Sequence, residues 1–154
     1  MKMLTKLIVG VVAAVGISTS VWAQDRANKD EAKAMAEQAA AYVAKVGPEQ
    51  AFKEFSDKSN AKWKNKDLYV FAYNMKGDCV AHGANESLIG KNLIDLKDTN
   101  GKPIIQEMMT AVKPGSGTVD YAWAHPQTKN VEDKTSFVVK TANYDGFVGV
   151  GAYR

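Results

Sequence analysis

Apolar residues recur at three- and four-residue spacing over residues 25–46, where Ala32, Met35, Ala36, Ala39, Ala40, Val43 and Val46 share one face, the signature of a long amphipathic helix. Gly47-Pro48 ends that run. Pro48 followed by Glu49 opens a second helix, with Ala51, Phe52 and Phe55 turned inward and an end expected near Ser59. After Asn65-Lys66-Asp67 the period changes: "LYVFAYNMKGDCVAH" holds two β-rich runs joined by Met75-Lys76-Gly77-Asp78, a hairpin signal. A third helical face, formed by Ile104, Ile105, Met108, Met109 and Val112, stops at Pro114-Gly115. Three further strands are predicted at residues 117–123, 134–141 and 146–153, joined by polar turns that favour antiparallel neighbours.

Between the hairpin and the third helix, "HGANESLIGKNLIDLKDTNGK" (residues 82–102) follows neither period. Irregular connections of this length are uncommon in compact domains, and most are lids or binding loops. Leu88, Ile89, Leu93, Ile94 and Leu96 are too apolar to be left in water, so the segment is expected to cover something. Asp98-Thr99-Asn100-Gly101 reads as a turn with Gly101 at positive φ, because the glutamate that closes a calcium loop is missing. The order predicts an α+β domain with five mostly antiparallel strands, helices on one side, a long N-terminal helix and a crossing helix.

The chain opens with "MKMLTKLIVGVVAAVGISTSVWAQD". Lys2 and Lys6, an apolar core over residues 7–17 and Val21-Trp22-Ala23 together read as a secretory signal peptide, residues 1–23, cut after Ala23. An inner-membrane anchor is the alternative, but the apolar core falls short of the roughly 20 residues a spanning helix needs. Residues 24–154 then form a single domain whose net charge is only +1, which gives no electrostatic case for nucleic acid. Cys79 is the sole cysteine, so no intramolecular disulfide can form, and a buried inert thiol is expected. One cysteine and two histidines disfavour a zinc site.

Motifs for acyl transfer, phosphate binding or dithiol chemistry are missing, and no catalytic residue or cofactor is expected. Strand alternation puts Cys79 and His82 on opposite faces, which rules them out as nucleophile and base. Alternation also gathers Tyr69, Phe71 and Tyr73 on one face, and lets Tyr121 share a face with Val119 and Trp123. Collected under a lid, such side chains make an apolar box with hydrogen-bonding tips, suited to a small molecule. Lys134 at the head of "KTSFVV" and His82 at the end of "CVAH" can hold an anion there through charge-assisted hydrogen bonds.

The stretch "DLYVFAYNMKGDCVAHGANESLIGKNLIDLKDTNGKPIIQEMM", followed by "GSGTVDYAW", "KTSFV" and "GFVGVGAY", resembles the single Cache domain of type 2 over about residues 67–153. Domains of this family are extracytoplasmic sensor modules of bacterial chemoreceptors and histidine kinases. The resemblance implies a PAS-like sheet and a pocket between sheet and crossing segment for small molecules, commonly short carboxylates. It implies ligand-binding roles for Tyr73, His82, Tyr121, Trp123 and Lys134. Around them Phe71, Leu93, Ile94, Met108 and Phe137 are expected to supply the lid and pocket wall. Two departures stand out: Gly83 where a proline often follows the histidine, and Phe137 where a tyrosine is common. Because the chain stops at Arg154 directly after the last predicted strand, the expectation is a stand-alone periplasmic sensor. It would bind a small organic anion and present it to a membrane receptor or kinase. The alternative is an interaction module that dimerises through the alanine-rich helix and binds no ligand.

Overall fold

The computed structural model describes residues 25–154, and the predicted signal peptide lies outside them. Helix α1 (Lys29–Val46) begins later than its apolar periodicity, because Asn28 caps it. The Asn28 side chain accepts from the Glu31 N–H and the Glu31 carboxylate accepts from the Asn28 N–H, at 2.9 and 2.8 Å, a reciprocal pair that fixes the first turn. Helix α2 (Pro48–Ser56) ends three residues before Ser59, where the Asp57 carboxylate takes the Ser59 N–H and hydroxyl and turns the chain.

A two-residue ribbon, β1 (Lys64–Asn65) with β2 (Leu68–Tyr69), leads into the strands β3 (Phe71–Asn74), β4 (Cys79–His82), β5 (Ser116–Ala124), β6 (Val131–Lys140) and β7 (Gly146–Tyr153). They form one antiparallel sheet in the order β4-β3-β7-β6-β5. This α+β architecture is the predicted one, but its helices lie on both faces. Ala32, Ala36, Ala39 and Val43 of α1 and Phe55 of α2 pack with Val148, Val150 and Ala152 on one face. Helix α3 (Ile104–Ala111) packs Ile104, Ile105 and Met108 on the other. The alanines of α1 are thus buried against their own sheet.

That strand order explains the length of the crossing. β4 and β5 are consecutive in sequence yet stand at opposite edges of the sheet, so their connection must traverse four strand spacings, about 19 Å. On the way it seals both edges, which would otherwise expose unpaired backbone groups. At β4 the Cys79 N–H donates to Lys91 and the Gly90 N–H to Cys79, at 2.9 and 2.8 Å. At β5 the Asp98 carboxylate accepts from the Ala122 N–H at 3.0 Å, and Lys102 donates to the Asp120 carbonyl. Asp98 also accepts from Asn100 and Lys102, and Gly101 has φ of 80°, the turn expected from the sequence.

Two local features shift side chains from their expected positions. β6 starts at Val131, paired with Ala124, so Lys134 is interior to its strand, opposite Tyr121 and Tyr153 rather than at a strand head. In the β3–β4 hairpin, Ala72 pairs with Ala81 but Tyr73 pairs with Cys79, leaving Val80 as a bulge. Val80 and Ala81 therefore both pack toward the helices, while Cys79 and His82 both face α3, against the alternation argument that separated them.

Replacing Asp98 with Ala strands three backbone donors and frees the crossing from the β5 edge. The variant is expected to lose about 1–2 kcal/mol of stability and to show faster amide hydrogen exchange at Ala122. Unchanged exchange at Ala122 would mean that Asp98 does not hold the two segments together.

Candidate functional site

Tyr69 from β2, Phe71 and Tyr73 from β3, His82 from β4, Ile104, Ile105 and Met108 from α3, and Tyr121 and Trp123 from β5 enclose a cavity between the sheet and α3. Strand alternation delivers the rings and the i, i+1, i+4 positions of α3 close them over. The void is tight: about 10 Å³ is open to the centre of a water-sized sphere, room for roughly one water. Four of the five expected ligand-binding residues, Tyr73, His82, Tyr121 and Trp123, line it, as do Phe71 and Met108 of the expected wall.

Lys134 lies just beneath this wall. Its side chain is fully buried; Nζ donates to the Tyr69 hydroxyl at 2.9 Å and sits 4.3, 5.4 and 5.8 Å from the ring centres of Tyr69, Phe71 and Tyr121. Tyr153 closes its far side at 5.1 Å. Electron-rich faces stabilise a cation at these distances, yet among the described residues no carboxylate forms a salt bridge with it. Burial pushes its pKa down to about 7, opposed by the field of Asp67. Asp67 itself is committed elsewhere. One of its oxygens accepts the Ala27 N–H at 2.8 Å and the other meets His125 Nε2 at 3.1 Å.

Room for the lysine stem comes from β7. A Cβ at Gly151 would overlap Lys134 and Ser136, and one at Gly149 would overlap the Phe71 ring, so the glycines of "GVGAY" are what let these side chains lie flat across the sheet. The Tyr121 hydroxyl is bonded to Ser136 at 2.9 Å.

His82 supplies the second polar group. Its Nδ1 accepts the N–H groups of Ala84 and Asn85 at 3.2 and 2.8 Å, so the neutral ring carries its proton on Nε2. Burial, reinforced by the Lys134 ammonium, pushes its pKa down to about 3. Nε2–H makes no hydrogen bond among the described residues and remains a donor. Cys79, although on this face, is no partner for the histidine. Burial pushes its thiol up to about 11, and Sγ contacts the Ala81 carbonyl at 3.5 Å. Burial also raises Tyr73 and Tyr121 far above the ordinary phenol range, so both stay protonated.

Three expected wall residues fall elsewhere. Phe137 packs against the helices on the opposite face, because it is an odd number of residues from Lys134 and the two cannot share a face of one strand. The hydroxyl that a tyrosine would carry at that position therefore bears on the other core, not on this cavity. Leu93 and Ile94 pack half-buried against the pocket-side cluster without lining the void. Tyr69, Ile104 and Ile105 complete the wall, Tyr69 from the strand face predicted for Phe71 and Tyr73 and the isoleucines from the helix face predicted for Met108.

A family model for the single Cache domain 2 matches residues 2–154. The chain belongs to this family. The sensor histidine kinase MctS of Rhizobium johnstonii is 36% identical over 88 residues, 57% of this chain, and the chain spans 19% of that kinase's length. Among solved structures, a methyl-accepting chemotaxis protein of Vibrio parahaemolyticus superimposes with a TM-score of 0.70 at 26% identity, covering 81% of this chain and 87% of that one. A periplasmic sensor domain of a chemotaxis protein gives 0.62 at 27%, covering 80% and 88%. A Cache chemosensory domain solved for carboxylic acid recognition gives 0.63 at 24%, covering 80% and 86%, and shares the fold. Both Cache-type sheet and N-terminal helix are thus present in this chain, with the aromatic cavity between sheet and α3.

Lys134 makes stability depend on pH in a recognisable direction. In the unfolded chain lysine holds its proton to about 10.4, whereas in the folded domain burial makes Lys134 release it above about 7. Between these values the folded state binds fewer protons, so stability rises with pH from 7 toward 10. Thermal melts of wild type and Lys134→Met across this range test it: the rise is expected in wild type and reduced in the variant. Identical pH dependence in both would show that Lys134 is not the group responsible.

Proposed function

We propose that this domain is an extracytoplasmic sensor module, not an enzyme, whose cavity binds a small carboxylate and whose bound state is read by a membrane receptor or kinase. One observation carries the reading: a fully buried lysine that has no carboxylate partner among the described residues lies under a cavity that also holds an imidazole N–H with no partner among them. An isolated buried cation is costly, and a ligand anion offsets that cost while meeting both donors through charge-assisted hydrogen bonds. The chemistry suits a carboxylate, the class recognised by one Cache domain of the same fold. Relatives among sensor kinases and chemotaxis proteins support a signalling partner. The signal-peptide reading of residues 1–23 supports periplasmic residence.

The tight void favours small acids. Acetate or propionate displaces Ile104, Ile105 and Met108 least, and larger acids require α3 to move outward. The Lys134 ammonium gains a partner by releasing or sharing its bond to Tyr69, with Tyr73 and His82 as further donors and Tyr121 and Trp123 as walls.

Thermal shift with acetate, propionate, pyruvate and lactate is the direct test. At about one hundred times its dissociation constant a ligand adds roughly 2.7 kcal/mol, which moves the melting midpoint by several degrees. The shift is expected to shrink above pH 7 as the ammonium is lost, and to vanish in Lys134→Met, which keeps the aliphatic stem. An undiminished shift in that variant removes Lys134 from the site. No shift with these acids would overturn the carboxylate reading, and a ligand-independent dimer would then favour the interaction-module alternative.

A further inference from the structure

Beside the cavity, sharing Tyr69 with it, runs a surface groove of about 340 Å³ lined by Lys58, Lys64, Lys66 and Lys129 together with Ala84. We propose that this groove is the entrance through which the cavity is loaded, its lysines capturing the anionic ligand before it passes Tyr69; the inference rests on the carboxylate reading above.

Two contacts join groove and cavity. Tyr69 belongs to both walls, so groove and cavity adjoin at this residue. Ala84 donates its N–H to His82 Nδ1, so the groove's lip and the cavity's imidazole are directly bonded. Four lysines line the groove, and two of them have no carboxylate partner among the described residues. Lys66 is paired with Glu31 at 2.8 Å and Lys58 reaches Glu86 at 3.5 Å. Lys64 and Lys129 have only backbone carbonyl partners, Asp57 and Pro126, and no salt bridge among the described residues. Asp67, the carboxylate in the groove's lining, is 1% exposed, bonded to Ala27 and His125, and its field acts inward on Lys134. Lys66 and Lys129 are also the non-glycine residues with positive φ in the described chain, at 57° and 65°, a strained conformation that persists where surrounding structure or function demands it.

A domain with a net charge of +1 does not draw anions from a distance. A cleft lined with one sign of charge does, raising association rates by an order of magnitude or more, within the roughly 8 Å over which charge is felt at physiological salt. Lysines outside the cavity therefore act on the association rate, while the groups inside set how long the ligand stays.

The test compares Lys64→Gln/Lys129→Asn with Lys33→Gln/Lys113→Gln, which removes the same charge from exposed sites that do not line the groove. Asparagine suits the left-handed backbone at residue 129, and melting curves check that both proteins remain folded. Acetate, propionate, pyruvate and lactate are titrated into each, and NMR line shapes give the association and dissociation rates. At about 20 mM ionic strength the groove variant is expected to associate several-fold more slowly with an unchanged dissociation rate, and to match wild type at about 0.5 M, where screening is short-ranged. The control variant is expected to follow wild type throughout. Equal association rates in groove variant and wild type, with binding intact, overturn the entrance while leaving the carboxylate reading standing. Equal slowing in both variants overturns it in favour of overall charge. Binding of none of the acids to wild type overturns both.

Discussion

The Lys134 ammonium, buried against the rings of Tyr69, Phe71, Tyr121 and Tyr153, imposes conditions that much of the sheet is arranged to meet. Its stem needs a flat path across β7, which Gly151 provides by having no side chain. The cation needs compensation, and it receives ring faces, one tyrosine hydroxyl and the distant field of Asp67 instead of a direct carboxylate. Asp67 is kept back from full pairing by its bonds to His125 and Ala27. The same bonds fasten the chain just ahead of α1 to the end of the sheet. The resulting site is a half-made ion pair, suited to a ligand that brings the missing charge.

Sheet topology determines what closes this site. With β4 and β5 at opposite edges, any connection between them must pass over one face, and the chain uses that passage to place α3 above the aromatic strands. Hydrogen bonds at both edges fix the two ends of the crossing, so under the proposed reading the wall that gives way to a ligand is the short α3 and not the whole segment.

Periodicity made most of this legible. The helices at α1, α2 and α3, the hairpin and the three-strand meander follow directly from spacing, and the face shared by Tyr69, Phe71 and Tyr73 follows from alternation. The failures have specific causes. Phe137 cannot share a wall with Lys134, because the parity of a single strand puts the two on opposite faces. Leu93 and Ile94 are apolar enough to be covered, but apolarity alone does not distinguish a cavity wall from the layer behind it. The Val80 bulge defeated the alternation rule for Cys79 and His82, because an inserted residue leaves no mark in composition. The glycines at 149 and 151 were the available sign that a bulky side chain crosses β7. The pairing of His125 with Asp67 spans 58 positions, and local pattern could not reveal it.

Following the Lys134 ammonium itself by side-chain nitrogen NMR, in a pH titration with and without acetate or propionate, tests the account most directly. The midpoint is expected near 7 in the empty domain and higher with the acid bound, since a partner anion favours the charged form. A midpoint near the ordinary lysine value of about 10.4 that the acids leave unmoved would contradict it.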